Sequence, residues 1–179
     1  MPTSQNGWPV LSGTVGGAAP TLRKWIVPGT NRHFIARDGS AGFLLVHLAL
    51  WWHETIEKID TGVWDEWGYA YRPIRGQSSG FSNHASGTAL DINATQHPLG
   101  VSTSRTFSAD EISKIHARLR LYSGCIRWGG DYQSRPDAMH VEINDSLSAC
   151  EKKARALLDS PRGKRILEAN PGAKAVILS

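Results

Sequence analysis

The chain has 179 residues, 40% of them hydrophobic and 20% charged, with a formal net charge of +4. That composition fits one globular domain with a sizeable core and excludes a disordered chain, a disulfide-stapled miniprotein and a two-domain enzyme. The mild positive balance favours anionic surroundings, yet no long run of Lys or Arg marks a nucleic-acid stripe, so no nucleic-acid partner is expected.

In chain order, residues 1 to 30 are rich in Gly, Pro, Ser and Thr, as in Ser12-Gly13-Thr14-Val15-Gly16-Gly17-Ala18-Ala19-Pro20, and read as a loose arm. Met1 to Leu11 carry no basic stretch followed by an apolar core of the Sec type, so synthesis in a cytoplasm without Sec export is expected. From Ser40 as N-cap, Leu45, Leu48, Ala49, Trp52, Ile56 and Ile59 recur at helical spacing, predicting a helix to about Asp60 with one apolar face. Its most apolar stretch, Ala41 to Trp52, is shorter than the roughly 20 residues of a spanning helix, so it is core and no membrane insertion is expected.

Ser108 with Glu111 three positions on is a capping box that opens a second helix, with Ile112, Ile115, Leu119 and Leu121 turned inward. A third helix is predicted over Leu147 to Asp159, ended by Ser160-Pro161. Between the helices, Thr88 to Asn93, Cys125 to Trp128 and His140 to Asn144 suit short strands. Helices and short strands in irregular order predict an α+β fold with a small antiparallel sheet packed against helices, as a single domain spanning 1–179. Cys125 and Cys150 form neither a disulfide framework nor a C-x-x-C motif and read as buried thiols.

Seven histidines need sorting. His47/Glu54 and His53/Asp60 share a helix face at i,i+7 and read as a solvated or hydrogen-bonded stripe. His53-Glu54-Thr55-Ile56-Glu57 approaches the zincin H-E-x-x-H motif but has Glu57 where the second histidine belongs, so it is a decoy. His97 precedes Pro98-Leu99-Gly100 and suits a turn, while His33 and His116 read as surface or helix residues.

His84 and Asp91 differ, because from Thr88 the chain alternates, placing Leu90 and Ile92 on one face and Ala89, Asp91 and Asn93 on the other. Extended chain would separate the two residues by roughly 3.3 Å per residue, so Gly87 must let the chain curl back if both bind one metal. From this segment alone, a polar loop whose Asp caps a neighbour stands as an equal reading.

The segment Arg135 to Asn144 breaks the tie. Its strand turns Val141 and Ile143 inward and His140, Glu142 and Asn144 outward, and Asp137 is the chain's one acidic residue three positions before a histidine. His84, Asp91 and His140 supply three protein ligands and leave a fourth position for water, the arrangement of a catalytic zinc site. Asp137 then stands as general base, with a plain Pro-Asp turn as its alternative.

These two segments resemble the zinc peptidases that include D-alanyl-D-alanine carboxypeptidases, D,D-dipeptidases and L-alanyl-D-glutamate endopeptidases of phage endolysins. The likeness rests on S-x-H-x-x-G-x-A-x-D at Ser82, His84, Gly87, Ala89 and Asp91, and on D-x-x-H-x-E at Asp137, His140 and Glu142. Tyr71-Arg72-Pro73 is similar to the family's upstream arginine context. The resemblance spans about Tyr69 to Asn144 and leaves 1–60 and 150–179 unanchored. It implies zinc on His84, Asp91 and His140, a catalytic carboxylate at Asp137 and a transition-state-stabilising cation at Arg72. Asp137, where some members carry Glu, looks like the endolysin branch.

Beside these, Ser82 is a candidate for orienting a ligand or binding substrate, Glu142 for supporting a ligating histidine, and Trp128 for lining the cleft. Arg75 is a weaker second cation. The resemblance therefore implies a zinc endopeptidase, a monomer cutting the peptidoglycan stem peptide at the L-alanyl-D-glutamate bond. It would be made in a host cytoplasm and act on the wall after release. A D-alanyl-D-alanine carboxypeptidase or dipeptidase of the same fold, and a non-catalytic zinc-containing wall-binding or signalling module, are the alternatives.

Overall fold

A computed structural model of the chain describes residues 1–13, 21–74, 76–77 and 79–179. Within them the elements run β1 (Leu22–Ile26), β2 (His33–Arg37), α1 (Ser40–Thr55), β3 (Ala89–Asp91), α2 (Thr103–Thr106), α3 (Ala109–Leu121), β4 (Ile126–Trp128), β5 (His140–Ile143), α4 (Leu147–Leu157), α5 (Pro161–Ala169) and α6 (Ala173–Leu178). Two antiparallel sheets, the hairpin β1-β2 and the three-stranded β3-β5-β4, pack with the helices in an α+β arrangement.

Helix α1 is the axis of the core. Every residue from Ser40 to Trp52 is buried, because the hairpin, β5, α4, α5 and α6 surround it. The single apolar face expected from the spacing is therefore wrong: a helix covered on all sides is apolar all round. Burying Phe43, Leu44, Leu45, Leu48 and Leu50 contributes about 1.5–3 kcal/mol each by area. Gly39, not Ser40, occupies the N-cap, and the helix stops at Thr55 rather than near Asp60.

The N-terminal stretch also departs from expectation. Thr3 bridges to Pro9 and Ser4 to Phe81, Trp8, Val10 and Leu11 are buried, and the Trp8 indole N–H donates to the Asp145 carbonyl at 2.9 Å. Residues 1–13 are thus stitched to the sheet rather than loose, and β1 lies inside the stretch read as arm; residues 14–20 fall outside the described residues.

Helix α3 carries the expected capping box, Ser108 accepting from the Glu111 amide and Glu111 accepting from the Ser108 amide. Ile115 is buried and Ile112 and Leu119 are partly so, while Leu121 is exposed. At the C-terminus the expected helix is found as α4, Leu147–Leu157, and two more follow it: Ser160 caps a new helix and Pro161 opens it at its first turn, where a missing N–H costs nothing. No helix among the described residues is long and apolar enough to cross a membrane.

Candidate metal centre

The three-stranded sheet sets the geometry. Pairing β3 with β5 places Asp91 opposite His140 and Ala89 opposite Glu142, and pairing β4 with β5 places Arg127 opposite Glu142. Side chains alternate across a sheet, so Asp91, His140, Glu142 and Arg127 share one face, while Leu90, Trp128 and Val141 form the row packed into the core.

His84 arrives from a short 3-10 turn, Asn83–Ser86, capped by Ser82, whose Oγ accepts from the His84 amide at 3.3 Å. Gly87 ends that turn with φ 68°, a left-handed conformation, and a Cβ there would stand 2.6 Å from the Arg37 amide nitrogen. The curl required between His84 and Asp91 is made at this glycine.

His140 Nδ1 lies 2.9 Å from Asp91 Oδ1 and 3.3 Å from His84 Nε2, and His84 Nε2 lies 3.3 Å from Asp91 Oδ1. All three residues are buried, and their donor atoms lie within 4.8 Å of one another, close enough to hold a metal ion. The opposite ring nitrogens are engaged: His84 Nδ1 donates to the Gly68 carbonyl at 2.6 Å, and His140 Nε2 meets Glu142 Oε2 at 2.9 Å. Each partner leaves the other nitrogen of its ring facing the cluster, the orientation a metal-binding histidine needs.

Glu142 is held in turn. The Asn83 amide and the Arg127 guanidinium both donate to it in short contacts, and the Tyr132 hydroxyl donates to Oε1 at 2.8 Å. Burial opposes its charge, but the His140 hydrogen bond and charge, with Asn83 and Tyr132, outweigh that and hold its pKa down to about 2. Burial likewise opposes ionisation of Asp91, yet the charge of His84 and the hydrogen bonds of both histidines hold its carboxyl far below the usual range. Burial would depress His140; Asp91 and Glu142 override it and push its pKa well up.

A cavity of about 350 Å³ opens on this face, lined by Asp137, Arg72, Ser82, Tyr132, Arg127 and Arg135 beside Asp91 and His140. Asp137 lies in the turn before β5: its amide donates to the Gly129 carbonyl at 2.9 Å and its carbonyl accepts from the His140 amide at 3.0 Å. Gly129 permits that approach, since a Cβ would stand 2.5 Å from the Asp137 carbonyl oxygen and 3.2 Å from His140 Cβ.

Trp128 does not line the cleft. It is 1% exposed, packs against Trp52 and Phe107, and donates its indole N–H to the Ala138 carbonyl at 2.7 Å, so it supports the Asp137 turn from inside the core. Arg75 lies outside the described residues.

The other histidines do different work. His47 is buried against Tyr122 and Arg118, and His53 stands 3.7 Å from Asp60. His97 is buried rather than merely in a turn, stacked on Phe107 with centroids 4.0 Å apart and 2.7 Å from Glu57 Oε1. His116 meets Asp131 at 2.8 Å on the surface.

Sequence reasoning missed Asn83, the Gly68 carbonyl, Arg127 and Gln5, which also lines the cavity. Arg127 had a signal, since Ile126 and Trp128 alternate around it; the other three depend on chain segments whose approach no spacing reveals.

Compared with known proteins, residues 75–143 match a family described as D-alanyl-D-alanine carboxypeptidase. The match covers less than half of the chain but includes His84, Asp91, Asp137, His140 and Glu142, while Arg72 lies just outside it. It supports, at family level, a metal-dependent peptidase related to peptidoglycan enzymes. No curated protein and no solved structure matches the chain.

Proposed function

We propose that the protein is a zinc peptidase that hydrolyses the peptidoglycan stem peptide between L-alanine and D-glutamate. It would act as the monomeric catalytic domain of a phage endolysin, made in the host cytoplasm and working on the wall after release. The observation that carries this is the mutual approach of His84 Nε2, Asp91 Oδ1 and His140 Nδ1 at 2.9–3.3 Å, beside a cleft that also holds Asp137 and Arg72. Two imidazoles and one carboxylate are the donor set of catalytic zinc, and tetrahedral zinc sets its ligands about 3.3 Å apart.

When bound, zinc supplies Lewis-acid polarisation of the scissile carbonyl and acidification of a water. The Asp137 carboxylate takes the proton of the attacking water and returns it to the leaving amine. Arg72 faces the developing oxyanion, a contribution of about 3 kcal/mol in a water-poor site. Glu142 and the Gly68 carbonyl fix the two imidazoles so that neither rotates during turnover.

The cleft favours an endopeptidase. A second cavity, of about 480 Å³, meets the first at Asp91 and Arg72, so space extends on both sides of the ligands, as a chain cut in its interior requires. Arg127 and Arg135, which line only the Asp137 side, suit the carboxylates that follow the scissile bond. The matched family's description favours a second reading, D-alanyl-D-alanine carboxypeptidase. A wall-binding module without turnover would have no use for Asp137 and Arg72 in the cleft. Digestion of purified peptidoglycan followed by mass spectrometry of the new amino termini decides: glutamate termini support the endopeptidase, and D-alanine as main product transfers the assignment.

A further inference from the structure

The second cavity differs in chemistry from the first. Trp64 and Trp67, each 46% exposed, rim it with Tyr69 and His33. The Trp64 indole is held in place: it donates to the His33 carbonyl at 3.3 Å, meets the His33 ring edge-on at 4.6 Å and lies under the Arg32 guanidinium. Trp67 is bonded through its main chain to Asp91 in both directions, at 3.0 and 2.9 Å. Two exposed aromatic side chains therefore line one cavity with a candidate metal ligand, and the main chain of one of them is fixed to that ligand.

Charge decides what enters. Among the described residues lining this cavity the carboxylates are Asp91, turned to the metal cluster, and Glu66, buried 3.2 Å from Arg32 Nε. Neither is placed to receive a free ammonium group; Arg72 lies between the two cavities, and Arg127 and Arg135 line only the first.

Polarity follows from the chemistry. The group that protonates the leaving amine lies on the side of the residue following the scissile bond, and Asp137 lines the first cavity and not the second. The acidic residues after the bond thus occupy the arginine side, and the chain before the bond runs over Trp64 and Trp67. In peptidoglycan that flank is short, uncharged and joined by an amide to the lactyl ether of an N-acetylated amino sugar.

We infer that the cavity rimmed by Trp64 and Trp67 is a saccharide subsite that takes the amino-sugar ring at the glycan end of the stem peptide. Aromatic faces suit the C–H faces of a pyranose ring and require no charge from it. The inference rests on the peptidase reading above and names the part of its substrate that lies beyond the peptide.

The test compares two substrates with the zinc-loaded protein: the N-acetylated stem peptide and the same peptide carried on its disaccharide. The disaccharide form should be cleaved with a kcat/KM higher by at least about tenfold, the worth of one good aromatic stack. That ratio should fall towards one in Trp64→Ala and in Trp67→Ala. The disaccharide alone should also give a saturable change in tryptophan fluorescence that the double variant lacks. A ratio near one in the wild type, or a ratio that survives both substitutions, overturns the saccharide subsite while leaving the peptidase intact. Cleavage of neither substrate overturns the peptidase reading instead.

Discussion

The main-chain N–H of Asn6 donates to Asn83 Oδ1 at 3.0 Å, which joins the N-terminal segment to the metal cluster through a chain of contacts. The Asn83 amide donates to Glu142 Oε2, and the same oxygen meets His140 Nε2. Asn6 is itself fixed, its side-chain amide donating to Thr88 Oγ1 at 2.9 Å and to the Ile143 carbonyl at 2.8 Å. Asn83→Ala should therefore weaken metal binding about 10- to 100-fold, the usual cost of removing a partner behind a ligand. Chelator competition measures it, and an unchanged dissociation constant would show that Glu142 needs no support from this side.

This relationship also shows where the sequence stops being informative. The alternation at Leu90/Asp91 and at Val141/Glu142 is enough to place Asp91, His140 and Glu142 on one sheet face, while His84 reaches the cluster from the turn before β3. The capping box at Ser108 was legible for the same reason, since both its parts are local. Asn6 is not legible, because Gly and Pro around it read as a loose arm and the partners that tie it to the sheet and to Asn83 lie 77 residues or more away. Helix α1 misled in the opposite sense: its apolar spacing was read as one face, when the elements packed around it bury all of them.

His84→Ala and His140→Ala should each lose the metal, and with it stability, because ligand geometry and folding are coupled. His97→Ala should keep the metal, since His97 is committed to Glu57 and Phe107, but should cost about 1–3 kcal/mol of stability through the buried partner it leaves unpaired. Elemental analysis and thermal melts read the two effects separately. Metal loss in His97→Ala would mean that the wrong histidine has been assigned.

Acid should destabilise the fold through His47. Burial, then the charges of Arg118 on α3 and Arg162 on α5, hold its pKa down to about 3, against the opposing charge of Glu54 on its own helix. Tyr122 and Arg118 both donate to its Nδ1, at 2.9 and 3.1 Å. The unfolded chain takes up a proton below about pH 6.5 that the folded chain refuses until about pH 3. The contribution is therefore present above pH 6.5 and is lost as pH falls below it, by up to about 1.4 kcal/mol per pH unit. Urea unfolding of the wild type and His47→Gln at pH 7.5 and pH 5 checks it. The wild type's advantage should shrink at pH 5, and a constant difference would remove His47 from the acid response.

Asp137 and Asp91 line the same cleft but are assigned different duties, and their amides should separate them. Asp91 lies among the donor atoms, 2.9 Å from His140 and 3.3 Å from His84, so Asp91→Asn replaces a charged ligand with a poorer neutral one and should weaken metal retention. Asp137 stands in the turn that delivers His140, outside the donor set. Asp137→Asn keeps its shape but cannot accept a proton, so metal content and melting temperature should hold while the rate falls by about 10²- to 10⁴-fold. Gly129→Ala shifts the same turn sterically: the new Cβ meets the Asp137 carbonyl oxygen at 2.5 Å and His140 Cβ at 3.2 Å. The rate should fall, and metal content should be read alongside it, a loss of metal assigning the effect to His140 rather than to the base. An Asp137→Asn enzyme that turns over normally with metal in place would leave proton transfer to another group of the cleft, and Glu142, already bonded to His140, would be the next carboxylate to test.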